Sequence, residues 1–157
     1  MLGDVGEEVG VVEIGATWLH PGSWRTGANT ELGTSIRTGV QLALDDVNAA
    51  GGVNGHAVNV VQRDEGDNPA ATALAVQDLI QLGADAIIGP TSSVDVLGTL
   101  RTTVRAGILS CSPTATALAL DAFPSDGLFF RTIPSDSLQA AAIARTVGRR
   151  MVSGTSA

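Results

Sequence analysis

The sequence predicts an α/β protein, a flavodoxin-like three-layer sandwich with a five-stranded parallel sheet of order 2-1-3-4-5 and helices on both faces. Three observations carry this. Short apolar runs alternate with amphipathic stretches along the chain, the sequence form of repeated βα units. The run Ala-Asp-Ala-Ile-Ile-Gly at 84–89 has almost no polar alternation, as expected of a parallel strand covered on both sides. Loops rich in Ser and Thr follow two strands, at 90–93 and 112–117, where an open α/β sheet places its binding crevice.

In order, Val9–Ala16 reads as the first strand, rich in β-branched residues, followed by a long Gly/Thr/Asn-rich loop over 17–32 that carries both Trp residues. Residues 33–50 repeat apolar positions at helical spacing (Ile36, Val40, Ala43, Leu44, Val47) and stop on Gly51-Gly52. A turn at 53–55 leads to a second strand, Ala57–Gln62. Asn68 and Pro69 form a helix start, and Thr72, Ala75, Val76 and Leu79 make one face ending at Gly83. The third strand is 84–89. Ser92 or Ser93 then caps a helix with Asp95 in its first turn and Val96, Leu97, Leu100 and Val104 on its face. Strands at 108–111 and 128–132, a helix expected between them from the βα alternation, and a last helix from Ser135 to about 150 complete five strands and five helices. Residues 1–150 are expected to be one ligand-binding lobe, with 151–157 a tail or a severed linker.

Composition narrows the function. A chain of 157 residues that is 44% hydrophobic is long and apolar enough to bury a core. Its net charge of -7 argues against nucleic acid and anionic membranes as partners. All nine basic residues are Arg, which rules out a P-loop lysine, a Schiff-base lysine and the lysine of a receiver domain. Aromatics are 3% and Tyr is missing, so stacking is not the binding mode. No Gly-x-Gly-x-x-Gly follows the first strand. No segment is apolar enough to span a bilayer, and no basic region followed by an apolar stretch opens the chain, so a secretion signal is expected to lie outside it.

The loops after strands one, three and four converge beside the switch point. Two roles stand open for Ser93, helix capping and anion binding at a helix N-terminus; Ser92 shares both. Thr114 and Thr116 flank Ala115 in a loop interrupted by Pro113. They read either as an ordinary turn or as hydroxyls and carbonyls facing both ends of a zwitterion. Cys111 is the single cysteine, and a nucleophile would need His20 or His56 beside it. His56 is expected at the opposite edge, so Cys111 reads as a buried structural residue. The acidic run Asp64-Glu65-Gly66-Asp67 reads as a solvated loop with a helix cap rather than a metal cage. Neither a metal nor a cofactor is expected, and catalysis finds little support.

Five segments in order carry a family resemblance. They are Gly39 to Gly55 (Gly-Val-Gln-Leu-Ala-Leu-Asp-Asp-Val-Asn-Ala-Ala-Gly-Gly-Val-Asn-Gly), then Asp64 with Asp67-Asn-Pro-Ala-Ala, Ala86 to Ser93, Ser112 to Thr116, and Phe130 to Gln139. Across about 33–147 the chain resembles the N-terminal lobe of the type I periplasmic binding proteins, in the branched-chain amino-acid (Leu/Ile/Val) group of ABC-transporter receptors. The resemblance implies an extracytoplasmic protein, in the periplasm or on the surface as a lipoprotein. It implies that Ser93, Thr114 and Thr116 grip a ligand α-carboxylate, while backbone and threonine groups around Ala115 meet its α-ammonium. It places Leu32 where members of the family carry an aromatic against the ligand. It also implies a second lobe, which this chain lacks, and an ABC permease as partner of the whole receptor.

Three readings follow. The first is the solute-binding lobe of an ABC importer receptor for an amino acid or a related amide, without catalysis. The second is a ligand-sensing module of the same fold, which an attached kinase or DNA-binding segment would mark. The third is a flavodoxin-like enzyme, which a yellow colour or a Cys111-dependent hydrolysis would mark. An exposed half-cleft would also favour a homodimer, which light scattering at high concentration checks.

Overall fold

The computed structural model describes residues 12–18 and 28–153, with 12–13, 17–18, 28–30 and 149–153 described as backbone only. Its elements are β1 (Val12–Trp18), α1 (Ala28–Ala49), β2 (Val58–Asp64), α2 (Pro69–Gln81), β3 (Ala86–Ile88), α3 (Ser93–Arg105), β4 (Leu109–Ser112), β5 (Phe129–Arg131) and α4 (Asp136–Ser153). The sheet is parallel throughout, in the order β2-β1-β3-β4-β5, as the alternation of the sequence predicts. The chain leaves β1 for β2 on one side and returns for β3 on the other, so the switch point lies between β1 and β3.

Register explains where the strands end. β1 pairs with β2 from Val12↔Val58 to Trp18↔Asp64, which carries both strands two residues past the expected ends at Ala16 and Gln62. Arg63 and Asp64 look too polar for a strand, but β2 is an edge strand with water on one side. There the Arg63 guanidinium also pairs with Asp78 on α2. β3 is shorter than the apolar run 84–89 at both ends: the Ala84 amide still closes α2 on the Leu79 carbonyl, and Gly89, at φ +115°, turns the chain out after Ile88. The expected strand start at residues 9–11 lies outside the described residues.

The helix ends follow local chemistry. The Asn68 side chain accepts from the amides of Ala70 (3.1 Å) and Ala71 (3.0 Å) with Pro69 at the first position, as the sequence predicts. Ser92, not Ser93, caps α3 by accepting from the Asp95 amide at 3.2 Å. α1 corrects the sequence reading: it begins at Ala28, so Leu32 stands in a helix and not in a 17–32 loop. Its hydroxyls bond back one turn, Ser35 to the Glu31 carbonyl and Thr38 to the Thr34 carbonyl, which lets a polar stretch stay helical. Between β4 and β5 there is no full helix, only a single 3₁₀ turn over Leu118–Leu120. α4 continues to Ser153, past the expected helix end near 150; 154–157 lie outside the described residues.

The two faces of the sheet are covered unequally. On one face Val76 and Leu79 of α2 pack with Ala84, Ile87 and Ile108, and Val96 and Leu100 of α3 pack with Ala115 and Leu120. On the other, α1 leaves an apolar groove of about 410 Å³ over Ile14, Ile88, Cys111 and Pro113. α4 does not fill it: every described side chain along α4, from Asp136 to Gly148, is exposed. The strand-three positions Ala86 and Ile88 are accordingly only half-buried, whereas Ile87, facing α2, is buried.

Candidate functional site

The carboxyl ends of β3 and β4 bring the two hydroxyl loops into direct contact. The Thr114 hydroxyl donates to the Thr91 carbonyl at 2.6 Å, and the Ser112 hydroxyl donates to the Pro90 carbonyl at 2.7 Å. The Ser93 hydroxyl oxygen accepts from the amides of Thr116 (3.1 Å) and Ala117 (3.2 Å). Ser93 therefore ties the first turn of α3 to the strand-four loop, a role that neither capping nor ligand binding anticipates. Its proton remains to be donated, since an oxygen that accepts twice still carries one O–H.

The expected site residues divide on this geometry. Ser93, Thr114 and Thr116 are brought together with Ser92. The Thr116 hydroxyl makes no hydrogen bond with the described residues, while its carbonyl accepts from the Asp136 amide. The amides of Ser93 and Val94, at the start of α3, have no acceptor within the helix. Ala115 is fully buried in the α3 cluster; its amide donates to the Ser112 hydroxyl and its carbonyl accepts from Arg131. Its backbone groups are thus already engaged. Leu32 begins the return from the same edge but is 41% exposed in α1, and nothing links it to the hydroxyl loops.

Four residues that sequence reasoning missed hold this edge. Arg131 donates to the carbonyls of Ala115 (3.3 Å) and Ala117 (3.1 Å) and pairs with Asp121. Asp121 in turn accepts from the hydroxyls of Ser135 (2.8 Å) and Ser137 (3.2 Å). Ser112 is fully buried between the loops. Glu65 is the largest correction: the acidic run reads as solvated, yet this side chain is 1% exposed. Its carboxylate accepts from the Thr91 amide at 3.0 Å and from the Thr91 hydroxyl. The available signal is position, directly after β2 and therefore on the same sheet edge as the hydroxyl loops.

The two carboxylates shift in opposite directions. Burial pushes Glu65 above the ordinary glutamate range against the hydrogen bonds from Thr91, with Asp95 and Asp64 adding to the rise. Its stabilising contribution is thus full in acid and is lost as pH rises through the folded value. Hydrogen bonds from Ser135, helped by Arg131 and Ser137, hold Asp121 below the ordinary aspartate range. Its contribution is full above the unfolded value and is lost as pH falls through the folded one. Urea melts of the wild type are therefore expected to show an acid limb below about pH 4 that Asp121→Asn flattens. An unchanged limb in that variant would remove Asp121 from the account.

Cys111 lines the apolar groove, half-buried, and burial pushes its thiol up. His56 lies before β2, at the amino end of that strand, while Cys111 lies in β4, so the two are not paired. His20 lies outside the described residues.

A parallel sheet of order 2-1-3-4-5, with its hydroxyl loops at the carboxyl edge, is the architecture of one lobe of the type I periplasmic binding proteins. The chain belongs to the periplasmic binding protein family, whose model matches residues 23–155. It is 34% identical over 106 residues to an amino acid binding protein of Pseudomonas aeruginosa, covering 67% of this chain and 27% of that one. It is 37% identical over 83 residues to Leu/Ile/Val-binding protein homolog 8 of Brucella abortus, covering 53% and 21%. Among solved structures, it superimposes on the branched-chain amino acid transporter substrate-binding protein LivJ of Streptococcus pneumoniae in complex with isoleucine. That match has a TM-score of 0.71 and 29% identity, over 82% of this chain and 35% of that one. An ABC transporter substrate-binding protein of Desulfitobacterium hafniense in complex with Leu gives a TM-score of 0.77 at 24% identity, over 90% and 39%, a likeness of fold. The chain spans about a third or less of the length of the curated relatives it matches.

Proposed function

We propose that this chain forms one wall of the ligand cleft in an extracytoplasmic solute-binding protein, which passes an amino acid or a related small polar ligand to an ABC importer without chemical change. The observation that carries the reading is the group at the start of α3. The Ser93 hydroxyl is fixed between two amides with its proton still to give, beside the unpartnered Thr116 hydroxyl and the open first-turn amides of Ser93 and Val94. Such a group donates to a carboxylate and holds no base next to a nucleophile. The helix dipole favours the same charge. The names of the relatives, amino acid and Leu/Ile/Val binding, support this ligand class. A second lobe would close over the ligand and supply its remaining contacts. One wall alone binds weakly, because small-ligand affinity comes from burying most of the ligand surface.

Calorimetric titration with L-leucine, L-isoleucine and other L-amino acids tests this reading. Saturable weak binding is expected, reduced about tenfold or more in Ser93→Ala and about fivefold in Thr116→Val, one lost hydrogen bond in each case. Thr116→Val keeps the backbone bonds of residue 116 to Ser93 and Asp136, so its unfolding midpoint should stay put. Binding undiminished in both variants would place the ligand elsewhere.

A further inference from the structure

Glu65 is a nearly fully buried carboxylate with no cation paired to it among the described residues. A glutamine would occupy the same space without the cost of burying charge. A carboxylate does one thing better here, because its two oxygens accept both the amide and the hydroxyl of a single residue, Thr91, and so fix that residue's backbone and side chain together. The arrangement also has reach. Glu65 follows β2 and Thr91 follows β3, and the strand between them is β1, so the contact crosses the switch point of the sheet. On its own side Glu65 is held by the Thr72 hydroxyl of α2, which donates to the Glu65 carbonyl at 2.8 Å. On the far side the Thr91 carbonyl receives Thr114, flanked by the links from Pro90 to Ser112 and from Ser93 to Thr116 and Ala117.

We propose that Glu65 is the positioning residue of this edge: its carboxylate locks the 89–93 loop through Thr91 and, through Thr91, the 112–117 loop that carries the ligand-facing hydroxyls. The proposal rests on reading Ser93 and Thr116 as ligand groups. The charged groups whose field acts on this carboxylate are Asp64 beside it in the chain and Asp95 on α3; α2 presents the neutral Thr72. Protonation of Glu65 replaces one of its two accepting oxygens by a donor and loosens the hold on Thr91. The strand-four loop then relaxes with it.

The test follows backbone amide NMR signals of the whole chain as pH rises from about 4, the ordinary glutamate range, to neutral and above, in wild type, E65Q and E65D. The Thr91, Thr116 and Ala117 amides are expected to move together with one midpoint, and E65Q to abolish that shared movement. E65D keeps the charge on a shorter arm and is expected to lose the coupling to Thr116 and Ala117. With L-leucine added, the wild-type dissociation constant should change about threefold or more across that midpoint, while the E65Q value stays flat. If Thr91 titrates while Thr116 and Ala117 do not, or if E65Q titrates like the wild type, the proposal is overturned. Absence of leucine binding in the wild type sinks the ligand reading instead, and the shared amide movement still decides the role of Glu65.

Discussion

Leu79→Ala is expected to cost about 3–5 kcal/mol of stability, with the urea midpoint falling and the slope of the transition unchanged. Leu79 is fully buried on the inner face of α2, against Val76, Ala84, Ile87 and Ile108. Beneath it is Gly15 in β1, so close that a Cβ on that glycine would come within 2.9 Å of the Leu79 Cδ1 and 3.2 Å of the Ile87 Cγ1. The floor of the resulting cavity would be strand backbone, which is paired on both sides and has little freedom to collapse. The reciprocal change, Gly15→Ala, overpacks the same contact, so the double variant should be more stable than the sum of the two single losses predicts. A loss below about 1 kcal/mol in Leu79→Ala would be too small for a core leucine and would show that α2 is not seated as described.

Asn48→Ala is expected to cost about 1–3 kcal/mol, the net worth of two hydrogen bonds. Asn48, in the last turn of α1, uses its side-chain amide as if it were a neighbouring strand. It donates to the Val58 carbonyl at 2.9 Å and accepts from the Val58 amide at 2.8 Å. Val58 begins the edge strand and is buried, so removing the amide leaves a donor and an acceptor that only water entering at the exposed position 48 can re-pair. Asn48→Asp should be worse than Asn48→Ala at neutral pH, since it sets a carboxylate against a carbonyl oxygen. Amide exchange at Val58 reports the effect directly, with protection falling in both variants. Protection kept in Asn48→Asp would contradict the arrangement.

Elements whose signals are local were legible in the sequence. Asn68-Pro69 starts α2 as written because the cap and the proline act within one turn. The parallel order was legible because alternating βα units leave few other connections. Boundaries that depend on a partner were not. Arg63 and Asp64 are strand residues only because Thr17 and Trp18 lie opposite them. The start of α1 was hidden by Thr30, Gly33 and Thr34, residues that favour loops in isolation. The site was legible as a neighbourhood and not as a network: Ser93, Thr114 and Thr116 do meet, but Ala115 is committed to the core and to Arg131.

The chain by itself determined the α/β class, the order of its elements and the gathering of small hydroxyls at one edge of the sheet, because periodicity, caps and composition are properties of short segments. Only the tertiary structure decided that Glu65 is buried and that Ser93 bridges two loops. It also decided that the α2/α3 face is packed while the α1 face keeps an open groove. Those facts depend on residues 20 to 30 positions apart meeting across strands. An acidic run reads the same whether water or a threonine from another strand completes its hydrogen bonds.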